Sequence, residues 1–422
     1  MKMVYYWRFL EKGNVKMIER WQKVNVVSAL KSRRVVHLTG ARQTGKTTLA
    51  NAISFDRCKH ASLDKRLHLR AARSDPSGFL SRNSGETFII DEVQKVPELL
   101  DEIKIRVDND DERGQYLLTG SANLRFAKAI KDSLAGRMRT IRLRTLATGE
   151  IMSGKGDFVS RALSGDFESA PKGFDKRAII HSCFTGGYPE AMSLTSKDRA
   201  DWFRDYFDDI LMKDVRDVTE IRKLPALRKT AKWLLAHTAK FFARNELCAK
   251  AQISKETLDG YIAALTGLYL FDEVEPWSGS DYSRIGKRSK YFAADPALAA
   301  NLLGWKEDEV YYDDDRAGKI VETWVYRELS ALADIAGGYA ITQYRDSDKR
   351  EIDFIIENEI GDMIGVEVKA GSVVGDSDFT TLRWFRKKLV QSKFTGIVLH
   401  SGSDVARFGE GMFAVPCGML SL

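Results

Sequence analysis

A glycine-rich loop between an apolar strand and a helix constrains the fold of this chain more than any other feature. Residues 40–48 read Gly-Ala-Arg-Gln-Thr-Gly-Lys-Thr-Thr, after the apolar run 35–38 and before the apolar positions of 49–53. Such a loop points successive main-chain N–H groups, and the dipole of the following helix, at phosphate oxygens. The sequence therefore predicts an α/β fold with a nucleoside triphosphate site, for which ATP or GTP together with Mg²⁺ is expected.

The loop also assigns individual roles. Lys46 is expected to reach the β- and γ-phosphates, and the hydroxyl of Thr47 is expected to hold Mg²⁺. The residues expected to bind the nucleotide are Gly40, Gln43, Thr44, Gly45, Lys46, Thr47 and Thr48.

An acidic pair follows a second apolar run, at 87–90. Asp91 would hold the hydration shell of Mg²⁺, and Glu92 would act as the base that orients the attacking water. An exposed loop start is the alternative interpretation of such a pair. The preceding phosphate-binding loop favours the catalytic interpretation, because a nucleotide-hydrolysing site requires both the loop and the acidic pair.

The segment after a third apolar run, 115–118, adds candidates for contact with the γ-phosphate. That run ends in the polar residues 119–123, and Arg137 follows before another strand-like segment. An arginine in this place can contact phosphate in its own subunit or as a finger inserted into a neighbouring one. An ordinary surface arginine is the alternative.

These motifs resemble those of prokaryotic AAA-type ATPases with a C-terminal domain of restriction-endonuclease-like, PD-(D/E)xK core. The resemblance runs from about residue 17 to 422 and is carried by segments 40–48, 89–94, 118–121, 135–137 and 186–190, together with the C-terminal carboxylates described below. It implies an AAA-type three-layer parallel sheet at 17–150, a helical region with a winged helix-turn-helix at 177–310, and a restriction-endonuclease-like α/β domain at 311–422. Residues 1–16 would be an N-terminal extension.

The middle region contains the pattern of a winged helix. Two helices are predicted at 245–252 and 255–262, and segments 271–277 and 290–293 would form the wing. The basic side chains suited to phosphate contacts are Arg284, Lys287, Arg288 and Lys290, whereas Lys255, Glu256 and Asp259 offer a weak base-reading face. A lid or a spacer between subunits is the alternative role.

The C-terminal part carries a possible nuclease site. Strands at 352–356 and 363–369 predict a hairpin that sets Asp353 opposite Val366 or Glu367, with Glu367 and Lys369 on one face. Carboxylates beside a lysine can bind Mg²⁺ or Mn²⁺ and activate water for phosphodiester attack. Glu322 matches the acidic residue that the first helix of this fold supplies. An exposed charged hairpin and an inactive remnant of the fold are the alternatives.

Net charge and hydropathy limit the partners and the cellular location that are expected for the protein. The chain has 66 Lys and Arg against 59 Asp and Glu, and residues 311–422 have 13 against 18, so residues 1–310 carry a net charge of +12. Attraction to nucleic acid would therefore come from the N-terminal and middle parts. The sequence contains no apolar run long enough to span a membrane, which favours a cytoplasmic location.

Two functions remain open from the sequence. In the first, an ATP-hydrolysing AAA-type protein couples its nucleotide state to a domain that binds nucleic acid, with DNA as the expected target, and cuts it with a metal ion. In the second, the protein is an ATP-operated regulatory switch whose nuclease-like domain is catalytically inactive. A homo-oligomer is compatible with both, since AAA-type sites are often completed by a neighbouring subunit.

Overall fold

The structure is a computed structural model that describes residues 17–53, 57–120, 134–167, 174–214, 224–279, 288–389 and 393–422. The expected N-terminal extension, 1–16, lies outside these ranges. So do the polar residues 121–123, and two of the basic residues assigned to the wing, Arg284 and Lys287.

The N-terminal domain is built on a five-stranded parallel sheet with the strand order β2-β3-β4-β1-β5. Its strands are β1 Val35–Thr39, β2 Cys58–Ser62, β3 Thr87–Asp91, β4 Tyr116–Thr119 and β5 Met138–Arg142. Its helices are α1 Gln22–Ser32, α2 Lys46–Ala52, α3 Arg66–Ser74, α4 Pro76–Phe79 and α5 Leu99–Asn109.

Apolar side chains alternate along these strands and fill both faces of the sheet. Val36 and Leu38 pack with α1 and α2 on one face, while Phe88 and Ile90 pack with α5 on the other. Strand side chains point alternately to opposite faces, so a strand buried on both needs apolar residues throughout. The three-layer parallel α/β domain expected from the sequence is confirmed.

The middle region is helical and carries one small hairpin. Its helices are α6 Thr148–Ile151, α7 Phe158–Ser164, α8 Lys176–Thr185, α9 Pro189–Met192, α10 Ser196–Asp209, α11 Leu224–Ala236, α12 Arg244–Ala251, α13 Lys255–Gly267, α14 Pro296–Leu302 and α15 Glu307–Tyr312. The hairpin pairs strand β6 Phe271–Val274 with the antiparallel strand β7 Lys290–Ala293. A turn separates α12 from α13, and the hydroxyl of Ser254 caps α13 by accepting the N–H of Thr257 at 3.2 Å.

The C-terminal region contains a six-stranded sheet with the order β12-β13-β11-β10-β9-β8. Its elements are α16 Asp314–Ala336, β8 Tyr339–Arg345, β9 Glu351–Asn358, β10 Met363–Val368, α17 Thr380–Lys388, β11 Phe394–His400, β12 Ala406–Arg407 and β13 Met412–Pro416. Strands β8, β9 and β10 form an antiparallel meander, and α17 leads to β11, which lies parallel to β10.

One hydrophobic core joins the middle and C-terminal regions. It runs from Phe158 to Leu420 and contains the inward face of the C-terminal sheet as well as the helices of the middle region. Helix α16 lies within this core, with Trp324 completely buried. The two regions are therefore packed as one body and not as units joined by a linker. No helix in the described ranges is long and apolar enough to cross a membrane.

Candidate nucleotide site and C-terminal carboxylate cluster

Two glycines give the phosphate-binding loop its shape. Gly40 has φ of +145°, and a Cβ there would lie 2.2 Å from the carbonyl oxygen of Leu143. Gly45 has φ of +92° immediately before α2 begins at Lys46. Residues with a side chain rarely adopt these angles, so both positions favour glycine for conformational reasons.

Lys46 lies across the inside of the loop. Its ammonium donates to the carbonyl oxygens of Gly40 at 3.1 Å and Ala41 at 2.7 Å. Burial lowers the pKa of Lys46 to about 8, against the opposing effect of the nearby carboxylates of Glu92 and Asp91. The cation therefore lies at the bottom of the loop, where phosphate oxygens would replace its main-chain partners.

Asp91 is the centre of a group of hydroxyls at the carboxyl end of β3. Its carboxylate accepts hydrogen bonds from Thr47 at 2.9 Å, from Ser62 at 3.3 Å and from Thr119. A carboxylate beside the Thr47 hydroxyl is a hard oxygen pair of the kind that holds hydrated Mg²⁺. These residues fit the magnesium site expected from the sequence, which did not identify Ser62.

Glu92 follows Asp91 with a left-handed backbone, φ +58°. This turn places its half-buried side chain at the cavity, where its carboxylate accepts a hydrogen bond from the amide of Gln94. A Cβ at Gly120 would come within 2.8 Å of that amide's oxygen, so the glycine leaves room for Gln94. The sequence indicated Glu92 but not the amide that holds it.

A cavity of about 1070 Å³ opens over the loop. Ligand sites in proteins enclose roughly 300–1,000 Å³, so the space suits a nucleoside triphosphate. Its polar side contains Lys46, Thr47 and Glu92. Its apolar side chains, which could contact a base, are Ile18, Leu49, Ala52, Leu146, Pro189 and Met192.

Arg20 connects the phosphate-binding loop by hydrogen bonds to residues beside this cavity. Its guanidinium donates to the carbonyl oxygen of Thr44 at 2.7 Å, to that of Arg144 at 2.7 Å, and to the carboxylate of Glu150 at 2.9 Å. The sequence analysis assigned no role to Arg20 or Glu150, because the contact joins residues 130 positions apart.

Two tyrosines of the middle region also contact the loop. The hydroxyl of Tyr206 in α10 bonds to the carbonyl oxygen of Arg42, and the hydroxyl of Tyr269 lies 3.0 Å from that of Thr39. Nearby, a Cβ at Gly187 would lie 2.2 Å from the carbonyl oxygen of Leu146, which accounts for a glycine there.

Arg137 lies at the other end of the sheet from the loop. Met138 pairs with Val35 at the start of β1, whereas Gly40 follows the end of that strand. Five residues at about 3.3 Å each separate the two edges by roughly 16 Å. Arg137 forms an ion pair with Asp108. The structure therefore does not support contact between Arg137 and phosphate in the same chain. A catalytic Arg137 would have to act as a finger inserted into a neighbouring subunit.

The C-terminal carboxylates come together, but around a different lysine from the one expected. The ammonium of Lys290 lies 2.6 Å from Glu351, 2.9 Å from Glu322 and 3.2 Å from Asp353. We call these four residues and Glu367 the carboxylate cluster. Val366 pairs with Phe354, so the next pair along the hairpin is Asp353 with Glu367, and these two are hydrogen-bonded.

Burial and mutual repulsion shift the protonation of this cluster. Burial, together with repulsion by the neighbouring Asp353, raises the pKa of Glu322 to about 8 against the opposing effect of Lys290. Burial and Asp353 likewise raise the pKa of Glu367 well above its usual range. Such shifts are typical of functional sites, although structural ion pairs also produce them.

The expected metal arrangement needs correction. Lys369 follows the last residue of β10, and its ammonium is paired with Asp378 at 2.8 Å. Among the residues that the structure describes, no three His, Cys, Asp or Glu side chains are arranged to hold a metal ion. Glu322, Asp353 and Glu367 do not fit Mg²⁺ or Mn²⁺ in this arrangement, because Lys290 supplies the positive charge.

The expected wing contacts also need correction. Lys290 is buried in the carboxylate cluster and is not available to a phosphate backbone. Arg288 is exposed, as are Lys255 and Glu256 at the start of α13, whereas Asp259 is exposed and paired with Arg244. The hairpin packs inward, which is the placement expected for a structural role.

Three family models match successive parts of the chain. Residues 32–152 match a family described as AAA domain. Residues 176–309 and 317–420 match two domains of unknown function, DUF8612 and DUF4143.

Two uncharacterized proteins, from Mycobacterium tuberculosis and Mycobacterium bovis, are each 26% identical over 401 residues, covering 93% of this chain and 82% of their own. Among solved structures, the RuvB Holliday junction branch migration motor of Thermotoga maritima has 16% identity and a TM-score of 0.29, covering 71% of this chain and 99% of its own. Drosophila ORC bound to DNA has 14% identity and a TM-score of 0.26, covering 72% and 99%. Such low TM-scores do not establish a common fold. The match over residues 32–152, with the loop and the parallel sheet, identifies the N-terminal domain as an AAA-type P-loop domain.

Proposed function

We propose that this protein binds and hydrolyses ATP and transmits its nucleotide state to a C-terminal domain that acts on nucleic acid. The observation that carries the ATPase part is that Lys46, Thr47 and Glu92 line one cavity at the carboxyl edge of the sheet, with Asp91 hydrogen-bonded to Thr47 behind them. Phosphoryl transfer depends on positioning and charge stabilisation, and these side chains supply both.

Each side chain has a distinct task. Bound Mg-ATP supplies the scissile bond and the divalent cation. Lys46 exchanges its two main-chain acceptors for phosphate oxygens and offsets their charge. Thr47 and Asp91 would hold the Mg²⁺ that accompanies ATP, and Glu92, which is hydrogen-bonded to the amide of Gln94, would accept a proton from the attacking water.

The β6–β7 hairpin is the physical connection that supports coupling. Tyr269, just before β6, contacts Thr39 at the entrance to the phosphate-binding loop. Asp272 within β6 is held by Arg142 at 2.8 Å and Arg144 at 2.7 Å, both from the edge of the ATPase sheet. Lys290, the first residue of strand β7, lies in the carboxylate cluster.

The topology of the C-terminal domain supports the restriction-endonuclease-like interpretation. A helix, a three-stranded meander and a crossover helix leading to a parallel strand place Asp353 and Glu367 side by side next to Glu322 of the first helix. This arrangement supports nucleic acid as the target, with DNA as the first substrate to test.

The ATPase domain offers a surface for the nucleic acid. Arg66, Arg70 and Arg73 recur along α3 and are exposed. Positions four and three residues apart lie on one helix face, where they can track a phosphate backbone.

The second candidate function is a switch that binds a partner without cutting. It is favoured by Lys290 among the carboxylates and by the pairing of Lys369 with Asp378. In that case the cluster would be a structural joint between the middle and C-terminal regions.

ATP turnover with and without DNA tests the proposal. We expect measurable hydrolysis, stimulation by DNA, and loss of stimulation in Arg66→Ala/Arg70→Ala with basal turnover retained. Lys31→Ala/Arg33→Ala, which removes two exposed basic side chains at the end of α1 and outside the nucleotide cavity, is the matched control. Absence of turnover in the folded protein would refute the ATPase, and turnover indifferent to DNA and RNA would favour the partner-binding switch. Metal-dependent cleavage of DNA would exclude that switch.

A further inference from the structure

We infer that Lys290 is a built-in cation of the C-terminal carboxylate cluster, which takes the place of a divalent metal ion and keeps such ions out. The inference rests on the proposed function only in treating the carboxylates as metal ligands once Lys290 is absent. The cation comes from the middle region and not from the C-terminal domain itself.

The contacts of Lys290 are those of a bound cation. Its side chain is 2% exposed, and three carboxylates from α16 and β9 surround its ammonium within 3.2 Å. A lysine so deeply buried is stable only when paired. The ring of Phe241, with its centroid 5.2 Å from the ammonium, covers another side.

The same position cannot hold a metal ion at the same time. Mg²⁺ binds carboxylate oxygens at about 2.0–2.1 Å and would use the oxygens that now accept from Lys290. Two cations a few ångströms apart in a buried site repel each other strongly. Lys290 and a divalent ion are therefore competitors for Asp353 and Glu322.

The second lysine of the region does not occupy the same place. Lys369 is half-exposed and paired with Asp378, in the turn before α17.

Mn²⁺ binding to nucleotide-free protein tests this inference. Electron paramagnetic resonance of free Mn²⁺ gives the number of ions bound per chain and their affinity. We expect Lys290→Gln to bind Mn²⁺ at one additional site, more than about tenfold tighter than any binding there in the parent protein. Lys290→Gln/Asp353→Asn should lose that site.

The matched control is Lys319→Gln. Lys319 lies on α16 and pairs with Asp315 at 2.7 Å, away from the cluster, so its removal should add no Mn²⁺ site. Since an unpaired carboxylate cluster destabilises the fold, we also expect Mn²⁺ to raise the melting temperature of Lys290→Gln and not that of the control. Lys290→Gln/Glu322→Gln removes one charge of each sign and is the variant to use if the single change does not fold.

The inference fails if the folded Lys290 variants gain no Mn²⁺ site. It also fails if the parent protein already binds Mn²⁺ at a site that Asp353→Asn removes. No ATP is present in this titration, so a failure here leaves the ATPase assignment standing. Conversely, loss of the ATPase assignment would leave the Mn²⁺ result interpretable.

Discussion

The hydroxyl of Tyr206 bonds to the main-chain carbonyl of Arg42 at 3.3 Å, so a helix of the middle region contacts the phosphate-binding loop directly. Tyr206→Phe removes this bond but keeps the ring stacked on Trp202. A neutral hydrogen bond contributes about 1 kcal/mol, so we expect ATP affinity to fall about fivefold or less. Calorimetric titration measures this, and Tyr312→Phe, at an exposed position, is the control. An unchanged affinity would show that the contact does not support the loop.

Lys46→Ala should largely abolish nucleotide binding. The change deletes the cation that offsets the phosphate charge and leaves the sheet untouched. Lys95→Ala is the matched control, because Lys95 lines the same cavity but is paired with Asp64. Equal ATP affinities of the two variants would exclude the assigned role of Lys46.

Glu92→Gln should retain Mg-ATP and hydrolyse it slowly. The amide keeps the size of the carboxylate but cannot accept a proton from water. Single-turnover measurement separates this defect from weak binding. Hydrolysis at the parental rate would rule Glu92 out as the base.

Arg137→Ala should slow hydrolysis only through a neighbouring subunit. Its distance from the loop in its own chain predicts normal ATP affinity and, if it acts as a finger, a loss of turnover on the order of 10³. Mixing Arg137→Ala with Glu92→Gln protein should restore part of the activity, since mixed neighbours can form a complete site. Turnover at the parental rate in an oligomeric Arg137→Ala protein would exclude the role of Arg137 as a finger.

Asp272→Asn should destabilise the joint between the ATPase sheet and the hairpin. Burial alone would raise the pKa of Asp272, but Arg142 and Arg144 hold it at about 2, below the ordinary 3.8. The carboxylate therefore contributes stability that is present above about pH 4 and is lost as the pH falls towards 2. At pH 7 the variant removes the carboxylate that Arg142 and Arg144 share and leaves Arg144 with Asp334, so it should cost about 3–5 kcal/mol of unfolding free energy.

Urea denaturation at several pH values measures this effect. The difference from the parent should shrink as the pH falls from 4 towards 2, because the carboxylate of Asp272 is then protonated in the unfolded parent before it is protonated in the folded one. Asp334→Asn removes a more exposed partner of Arg144 and should cost less. A pH-independent difference would indicate a packing defect and not the loss of the ion pairs.

The nucleotide site could be read from the sequence because its parts lie at predictable places. A glycine-rich loop after a strand and an acidic pair at a strand end are local patterns, and parallel strands bring their carboxyl ends to one edge. The parallel domain and the succession of helices and strands were predictable for the same reason. Roles for individual residues remain predictions, including those of Lys46 and Glu92.

The carboxylate cluster was only partly predictable. The hairpin pattern predicted Asp353 opposite Val366 or Glu367, and the observed pairing of Val366 with Phe354 brings Asp353 beside Glu367. Strand alternation also placed Lys369 on the same face as Glu367. That prediction was wrong, because β10 ends at Val368 and the alternation of side chains ends with the strand. Lys290 was assigned to the surface by its charge. The signal against that assignment was the apolar segment 291–294 directly after it.

The core shared by residues 158–420 has a consequence for how this protein can be dissected. A cut between residues 310 and 311 would expose apolar surface on both fragments, so neither is expected to fold as it does in the whole chain. Calorimetry should accordingly show the middle and C-terminal regions melting in one cooperative transition. Any signal from bound nucleotide would then reach the acidic cluster by small shifts of side chains and of one hairpin, since the two regions cannot swing apart as rigid modules.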